Sequence, residues 1–134
     1  MGRGFADVSE GDELPVSDVD LSADRIRAYA RAAGMWAPRF TDDEAARREG
    51  LPGMIAPGNL SMGLLGAMVE RWAGVGSLRR LGTTFRGIVR PGRLRLCGAV
   101  TECNDATRTV ELDVWLENED GERSVIGTAT VALA

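Results

Sequence analysis

The sequence predicts an α+β domain in which a curved antiparallel sheet wraps around one long central apolar helix. Three observations predict it. The run from Leu60 to Trp72 places Leu60, Met62, Leu64, Leu65, Ala67, Met68, Val69 and Trp72 over about three turns with little polar face, so it reads as a helix enclosed on most sides. From Leu78 onward the period changes, and apolar and polar residues alternate as they do in half-buried strands. The chain has 134 residues, one domain's worth, and is long enough to bury a core without disulfide staples. A helix this apolar needs cover, and one face of a sheet supplies it.

The elements follow in order. Residues 1–12 are polar and expected to be loose, which leaves 13–134 as the folded domain. Val16 to Leu21 reads as a short strand. Ser22 is a good N-cap for the helix that follows, with Asp24 in its first turn and Ile26, Tyr29 and Ala30 on one face. Gly34 sits where a helix-ending glycine belongs. Thr41, with Glu44 three residues on, reads as a capping box for a second helix that Gly50 closes. "LPGMIAPG" is a loop, and Gly58 or Asn59 starts the central helix. Four strands are then expected in "LRRLGTTFRGIV", "RLRLCGAVTEC", "TVELDVWLEN" and "SVIGTATVALA". Turns at Arg90-Pro91-Gly92, Asn104-Asp105 and Asn118 to Gly121 separate them. Open strand edges need partners, so a dimer is expected.

Composition excludes several functions. The net charge of −4 offers no basic field to nucleic acid or to an anionic membrane. All 16 cationic side chains are arginine, which suits planar contacts to carboxylate or phosphate and fits a GC-rich bacterial genome. Histidine is absent, which removes the commonest general acid–base and the commonest metal ligand. Two separated cysteines cannot make a zinc site without it, so no metal is expected. Cys97 and Cys103 lie six residues apart in one strand-like run. That places them on one face, about 20 Å apart, too far to bridge. Reduced thiols, no signal peptide and no run long enough to cross a bilayer together suggest a cytoplasmic protein. The Met1-Gly2 start lacks the Ser or Thr of a myristoylation motif.

The stretch Tyr29 to Ala46, "YARAAGMWAPRFTDDEAA", has the punctuation of a catalytic loop: a helix stop, a proline and a helix start. Its Tyr29, Ala32, Ala33, Gly34, Pro38 and Ala46 fall in register with a known signature. "GLPGMIAPGNLSMGLL", "FRGIVRPGRL" and "GTATVAL" are similar to three further segments of the same family. On these residues the chain resembles, over nearly its whole length, the MaoC-like (R)-specific enoyl-CoA hydratases and dehydratases. The resemblance implies a single hot-dog domain. It also implies an acyl-thioester ligand, in which a loop Asp and His activate a water that adds across the conjugated double bond. In this sequence the Asp position is Met35, the His position is Phe40, the Asn position is Ala37, and an aliphatic position is Arg39. None of Met35, Ala37 or Phe40 can exchange a proton.

The resemblance therefore implies a catalytically degenerate subunit. It would pair as a homo- or heterodimer with another MaoC-like chain, best an active one, and help form a tunnel for acyl-CoA or an acyl-carrier protein. The family includes such unequal pairs in fatty acid, mycolic acid and sterol side-chain metabolism. The family's thioester-polarising backbone N–H falls at Gly58, after Pro57, although the same residues would serve simply to start the helix. Asp42 and Asp43 are candidates for a replacement acid or base, beside the plainer role of capping a helix; Tyr29 is a weaker one. Arg86 and Arg90 are candidates to meet coenzyme A phosphates, or are solvated strand residues. Arg39 is a candidate to pair with an acid across an interface, and Trp36 and Trp72 read as packing residues. No cofactor is implied beyond a coenzyme A thioester as ligand. Two alternatives stay open: an enzyme with altered chemistry on an acyl-thioester or polyketide-type substrate, and a homodimeric acyl-CoA binding protein.

Overall fold

The computed structural model describes residues 2–134. Its strands are β1 (Ser17–Leu21), β2 (Leu78–Phe85), β3 (Gly92–Asn104), β4 (Thr109–Glu117) and β5 (Arg123–Ala132). They form one antiparallel sheet in the order β1-β3-β4-β5-β2. The helices are α1 (Ala23–Ala32), α2 (Asp43–Arg48) and α3 (Gly58–Ala73), with short 3-10 turns at Phe5–Asp7 and Pro38–Phe40. This is the α+β architecture that the two periodicities predict.

The core lies between the inner face of the sheet and one side of α3. Strand alternation sends Val110, Leu112, Val114 and Leu116 of β4 inward, and all four are essentially inaccessible. They meet Leu94, Leu96 and Val100 of β3, Val125, Ala129 and Val131 of β5, and Leu65, Met68, Val69 and Ala73 of α3. Each such aliphatic side chain contributes roughly 1.5–3 kcal/mol when removed from water. Ser22 caps α1 as its position implies, its hydroxyl accepting from Arg25 N at 3.2 Å. Ile26 and Ala30 then seat α1 on the core with no exposed surface, and Tyr29 is half-buried.

Three expectations need correction. α3 is not enclosed on most sides: only Ser61, Leu65, Met68, Val69 and Ala73 are buried. Met62, Gly63, Gly66 and Ala67 face an open groove instead. The second correction concerns the cysteines. The register of β3 against β4 shifts between Val100 and Glu102. That extra residue turns the strand over, so Cys103 packs on the core while Cys97 sits on the outer face opposite Trp115. Both are free thiols, and burial, the leading cause for each, pushes both above the ordinary cysteine range.

The third concerns the first residues, described here from Gly2; Met1 lies outside the described residues. The segment is tied down despite its polarity. Arg3 N donates to Ala73 O (3.0 Å), Phe5 N to Ala134 O (2.8 Å) and Gly11 N to Val100 O (2.9 Å). Val8 is buried, and the Arg3 guanidinium lies 4.9 Å from the centre of the Trp72 ring.

Candidate functional site

The loop joining α1 to α3 is built by local backbone chemistry. Gly34 takes φ +68°, so Ala33 N and Met35 N can turn back onto Tyr29 O and Ala30 O, both at 2.8 Å. Pro38 then opens a 3-10 turn, and its carbonyl accepts from both Thr41 N and Asp42 N at 2.9 Å. The Thr41 hydroxyl also points back to Pro38 O at 3.4 Å, so Thr41 is not the cap. Asp42 caps α2 instead, its carboxylate accepting from Glu44 N at 3.1 Å, one residue later than the expected capping box. The Pro38 turn recruits Thr41 before the helix can.

Residues 52–57 return as a strap between this loop and the sheet. Met54 N donates to Asp43 Oδ1 (2.9 Å), Ile55 N to Arg39 O (3.0 Å) and Ala56 N to Val89 O (2.8 Å). The strap ends at Pro57, the N-cap of α3. The loop and the start of α3 are thus joined through the Arg39 carbonyl, beside Phe40.

Met35, Ala37 and Phe40 are half-buried in this loop. Arg39 does not wait for an acid on another chain: its guanidinium pairs with Glu49 at 2.8 Å and lies 6.0 Å from the Phe40 ring centre. The two aspartates are held by backbone N–H groups, Asp42 as the α2 cap and Asp43 by Met54. The hydrogen bond from Met54, opposed in part by desolvation and aided by Arg47, Arg90 and Arg27, holds the Asp43 carboxyl below its ordinary value of 3.8. A carboxylate stabilised in this way is a poorer proton acceptor, which works against Asp43 as a replacement base. The sign of the linkage follows. A depressed folded pKa gives stability that is complete above pH 3.8 and is lost as pH falls through the folded value. Asp43→Asn is therefore expected to lower the thermal midpoint at neutral pH and to flatten its acid limb below pH 4. Thermal unfolding of both proteins from about pH 2 to 7 checks this.

Pro57 offers no side-chain cap to α3. Among the described residues the N–H groups of Gly58 and Asn59 have no protein acceptor, whereas Leu60 N turns back to Pro57 O at 3.0 Å. A free, positively polarised helix end can accept a carbonyl oxygen on which negative charge develops. Sequence reasoning did not single out its neighbour. The ring of Phe85, at the end of β2, lies over Gly58 so closely that a Cβ there would sit 2.8 Å from Phe85 Cζ. Phe85 remains 53% exposed, so it walls this helix end without closing it. The only sequence signal for it is the Phe that opens "FRGIVRPGRL".

The two candidate arginines part company. Arg86 is exposed and anchored by its backbone N to Ser124 O at 2.8 Å. Arg90 is turned inward: a Cβ at Gly53 would lie 2.7 Å from Arg90 Nη2 and 2.8 Å from Asp43 Oδ1. Its Nε is buried without a hydrogen-bond partner among the described residues, while Arg90 as a whole is half-buried and lines a concavity with Ile88 and Pro91.

Two concavities compete as ligand sites. A groove of about 630 Å³ runs along α3 between Met62, Gly63, Gly66 and Ala67 and the β2 side chains Leu78 and Leu81. A depression of about 380 Å³ lies on the outer face of the sheet near Trp115 and Arg123. The outer one is explained by its own contacts. Arg123 stacks 4.0 Å over Trp115, whose indole N–H donates to Glu117 at 3.1 Å. The α3 groove is apolar, opens beside the free edge of the sheet, and belongs to the helix that carries Gly58.

Three comparisons bear on this arrangement. A family model for the MaoC-like domain matches residues 7–120. No curated protein matches the sequence. Among solved structures, a MaoC-like dehydratase is 29% identical with a TM-score of 0.93; the match covers 99% of this chain and 43% of that one. The chain thus spans less than half the length of that protein. The (R)-hydratase PhaJ1 from Pseudomonas aeruginosa, in its unliganded form, is 21% identical with a TM-score of 0.89, covering 98% of this chain and 86% of the other. A chain of the ChsH1–ChsH2 complex from Mycobacterium tuberculosis is 20% identical with a TM-score of 0.86, covering 94% and 98%. The last two share the fold, a five-stranded antiparallel sheet packed on a central helix in the hot-dog arrangement. No described helix is long and apolar enough to cross a membrane. With a family model spanning most of its length and the fold to match, this chain belongs to the MaoC-like domain family.

Proposed function

We propose that this chain is a catalytically degenerate MaoC-like subunit. It pairs with another hot-dog chain that supplies the proton-transfer groups, and it helps to shape the acyl-thioester site. One observation carries the reading: the loop that Arg39 O ties to Ile55 N, in the strap leading to the uncapped start of α3, holds Met35, Ala37 and Phe40. Hydration of an enoyl thioester adds water oxygen to the β-carbon and a proton to the α-carbon, while negative charge collects on the thioester carbonyl. The proton traffic needs titratable groups, which these three residues lack. The carbonyl charge needs only fixed donors, which the Gly58 N–H and the α3 N-terminus can give.

In this reading Phe85 is an apolar wall for the acyl-thioester and Arg86 is placed to meet a coenzyme A phosphate. Arg90, Asp43 and Gly53 hold the strap that fixes Pro57. The open α3 groove and the free β2 edge suit a hot-dog partner. A solved neighbour being a complex of two chains is consistent with that. The alternative of altered chemistry within this chain is less favoured, because Asp42 and Asp43 are engaged by backbone N–H groups. The test is to assay the purified chain on short and long trans-2-enoyl-CoA by loss of enoyl-thioester absorbance. The expected result is no turnover above background alone, and turnover in the complex that co-purifies with it from its native host. Robust hydration by the isolated chain overturns the reading.

A further inference from the structure

The face left open by the fold is apolar in the middle and basic at the rim. Leu78 and Leu81 of β2 pack against α3 at Gly66, where a Cβ would lie 3.4 Å from Leu81 Cδ2 and 3.9 Å from Leu78 Cδ2. They continue the groove of Met62, Gly63, Gly66 and Ala67 out to the unpaired edge of β2. Arg71 of α3 lines it, with its guanidinium also donating to Ser17 Oγ at 3.4 Å. The exposed Arg79, Arg80 and Arg86 stand on or just after the edge strand, Arg80 turned to the outer face against Thr128 and Glu111. The stretch Leu78 to Arg86 holds three arginines and no acid, whereas the rest of the chain holds all 20 acidic residues against 13 arginines. The charge of the edge is therefore opposite to that of the molecule.

The acids that do reach the rim are partly committed. Glu70 accepts from Gly76 N at 3.0 Å, and Glu111 lies 3.6 Å from Arg80. Among the described residues Arg71, Arg79 and Arg86 have no acidic partner within 4 Å.

From this we infer that the β2 edge selects a non-identical hot-dog partner whose own edge strand is acidic. The inference rests on the pairing reading above and adds what the partner must look like. Two copies joined edge to edge would bring their arginine rims within the roughly 10 Å over which charges are felt at 0.1 M salt. Like charges opposed across an interface disfavour that partner by more than they slow its approach. An acidic edge gains on both counts, and the apolar groove supplies affinity to either.

The experiment needs no knowledge of the partner, because a charge-reversed copy of this chain stands in for it. The copy carries Arg71→Glu and Arg79→Glu, two exposed sites outside the proposed thioester site; its fold is checked by circular dichroism. Should it unfold, Arg79→Glu alone takes its place. Wild type and copy are mixed in equal amounts and the dimers are counted by native mass spectrometry at low ionic strength. Mixed dimers are expected to exceed the statistical half, with their ratio to like dimers raised about tenfold, and to return to it as salt screens the charges. Wild type alone should self-associate more tightly as salt rises, by sedimentation. Mixed dimers at the statistical half, or a wild-type dimer that tightens at low salt, overturn the acidic-partner inference and leave pairing intact. No association by any species at any salt removes pairing through this face, and the inference with it.

Discussion

Gly127→Ala is expected to destabilise the fold by about 3 kcal/mol, read as a fall in the guanidinium midpoint with little change in slope. A Cβ at this position would lie 2.3 Å from Gly82 O and 3.2 Å from Thr83 Cα and Cγ2. Gly82 O and Thr83 Cα are backbone atoms of the neighbouring strand, paired with Gly127 through Thr83, so turning the Thr83 side chain aside does not make room. Backbone conformation is not the constraint, since Gly127 is not among the positive-φ glycines. In the unfolded chain alanine has the advantage over glycine by about 0.4–1 kcal/mol, so the clash has to exceed that before any loss is seen. Close approach of two strands is the stronger effect, because relief requires β2 to move off β5. The consequence reaches the functional face, for β2 carries Leu78 and Leu81 of the groove and ends in Phe85 over Gly58. A destabilised β2 should weaken pairing as well as folding. A variant as stable as the wild type would show that β2 gives way at little cost.

The parts of this molecule that sequence shows are those fixed by neighbours along the chain. Ser22 meets its acceptor role three residues on, Gly34 ends its helix with a positive φ, and β4 alternates from Val110 to Leu116 because each residue answers only to the next. What sequence misses is set by distant groups or by single-residue irregularities. The Asp43–Met54 hydrogen bond spans eleven residues, and Phe85 reaches back over Gly58 from another element. The bulge after Val100 adds one residue to a run that still alternates plausibly, and it sends Cys103 to the opposite face from Cys97. At Thr41 two local rules compete, and the turn begun by Pro38 prevails over the capping box. The open side of α3 is a different kind of miss. The apolar run correctly says that this helix is covered by the sheet, but within this chain the sheet covers one side of it and the other lines an open groove. The same limit applies to the site. The resemblance could name Met35, Ala37 and Phe40, while the engagement of Arg39 by Glu49 and of Arg90 by the strap needed three dimensions.

Met35→Asp, Ala37→Asn and Phe40→His, made together, are expected to raise hydration of a short trans-2-enoyl-CoA about a hundredfold over the unmodified chain, the low end of what positioned acid–base groups contribute. On the proposed reading the loop geometry is retained and only the titratable atoms are gone, so restoring them should restore part of the chemistry. All three positions are half-buried, so new polar groups keep some access to water, and an unpaired one should cost about 1–3 kcal/mol at most. The Arg39 guanidinium, 6.0 Å from the centre of the Phe40 ring, is already paired with Glu49 at 2.8 Å, so its charge is largely offset there. With an imidazole as the base, activity should rise with pH through the histidine range. The single changes should give almost nothing, because a carboxylate and an imidazole must hold the same water for either to act. The groups that steady this loop are already in place: Pro38 O on Thr41 N and Asp42 N, Arg39 O on Ile55 N, and Arg39 on Glu49. A triple variant that folds, binds acyl-CoA and still hydrates no faster than the parent would mean that the loop has lost its aim at the start of α3 as well as its proton carriers. The resemblance of Tyr29 to Ala46 to a catalytic loop would then be one of sequence alone.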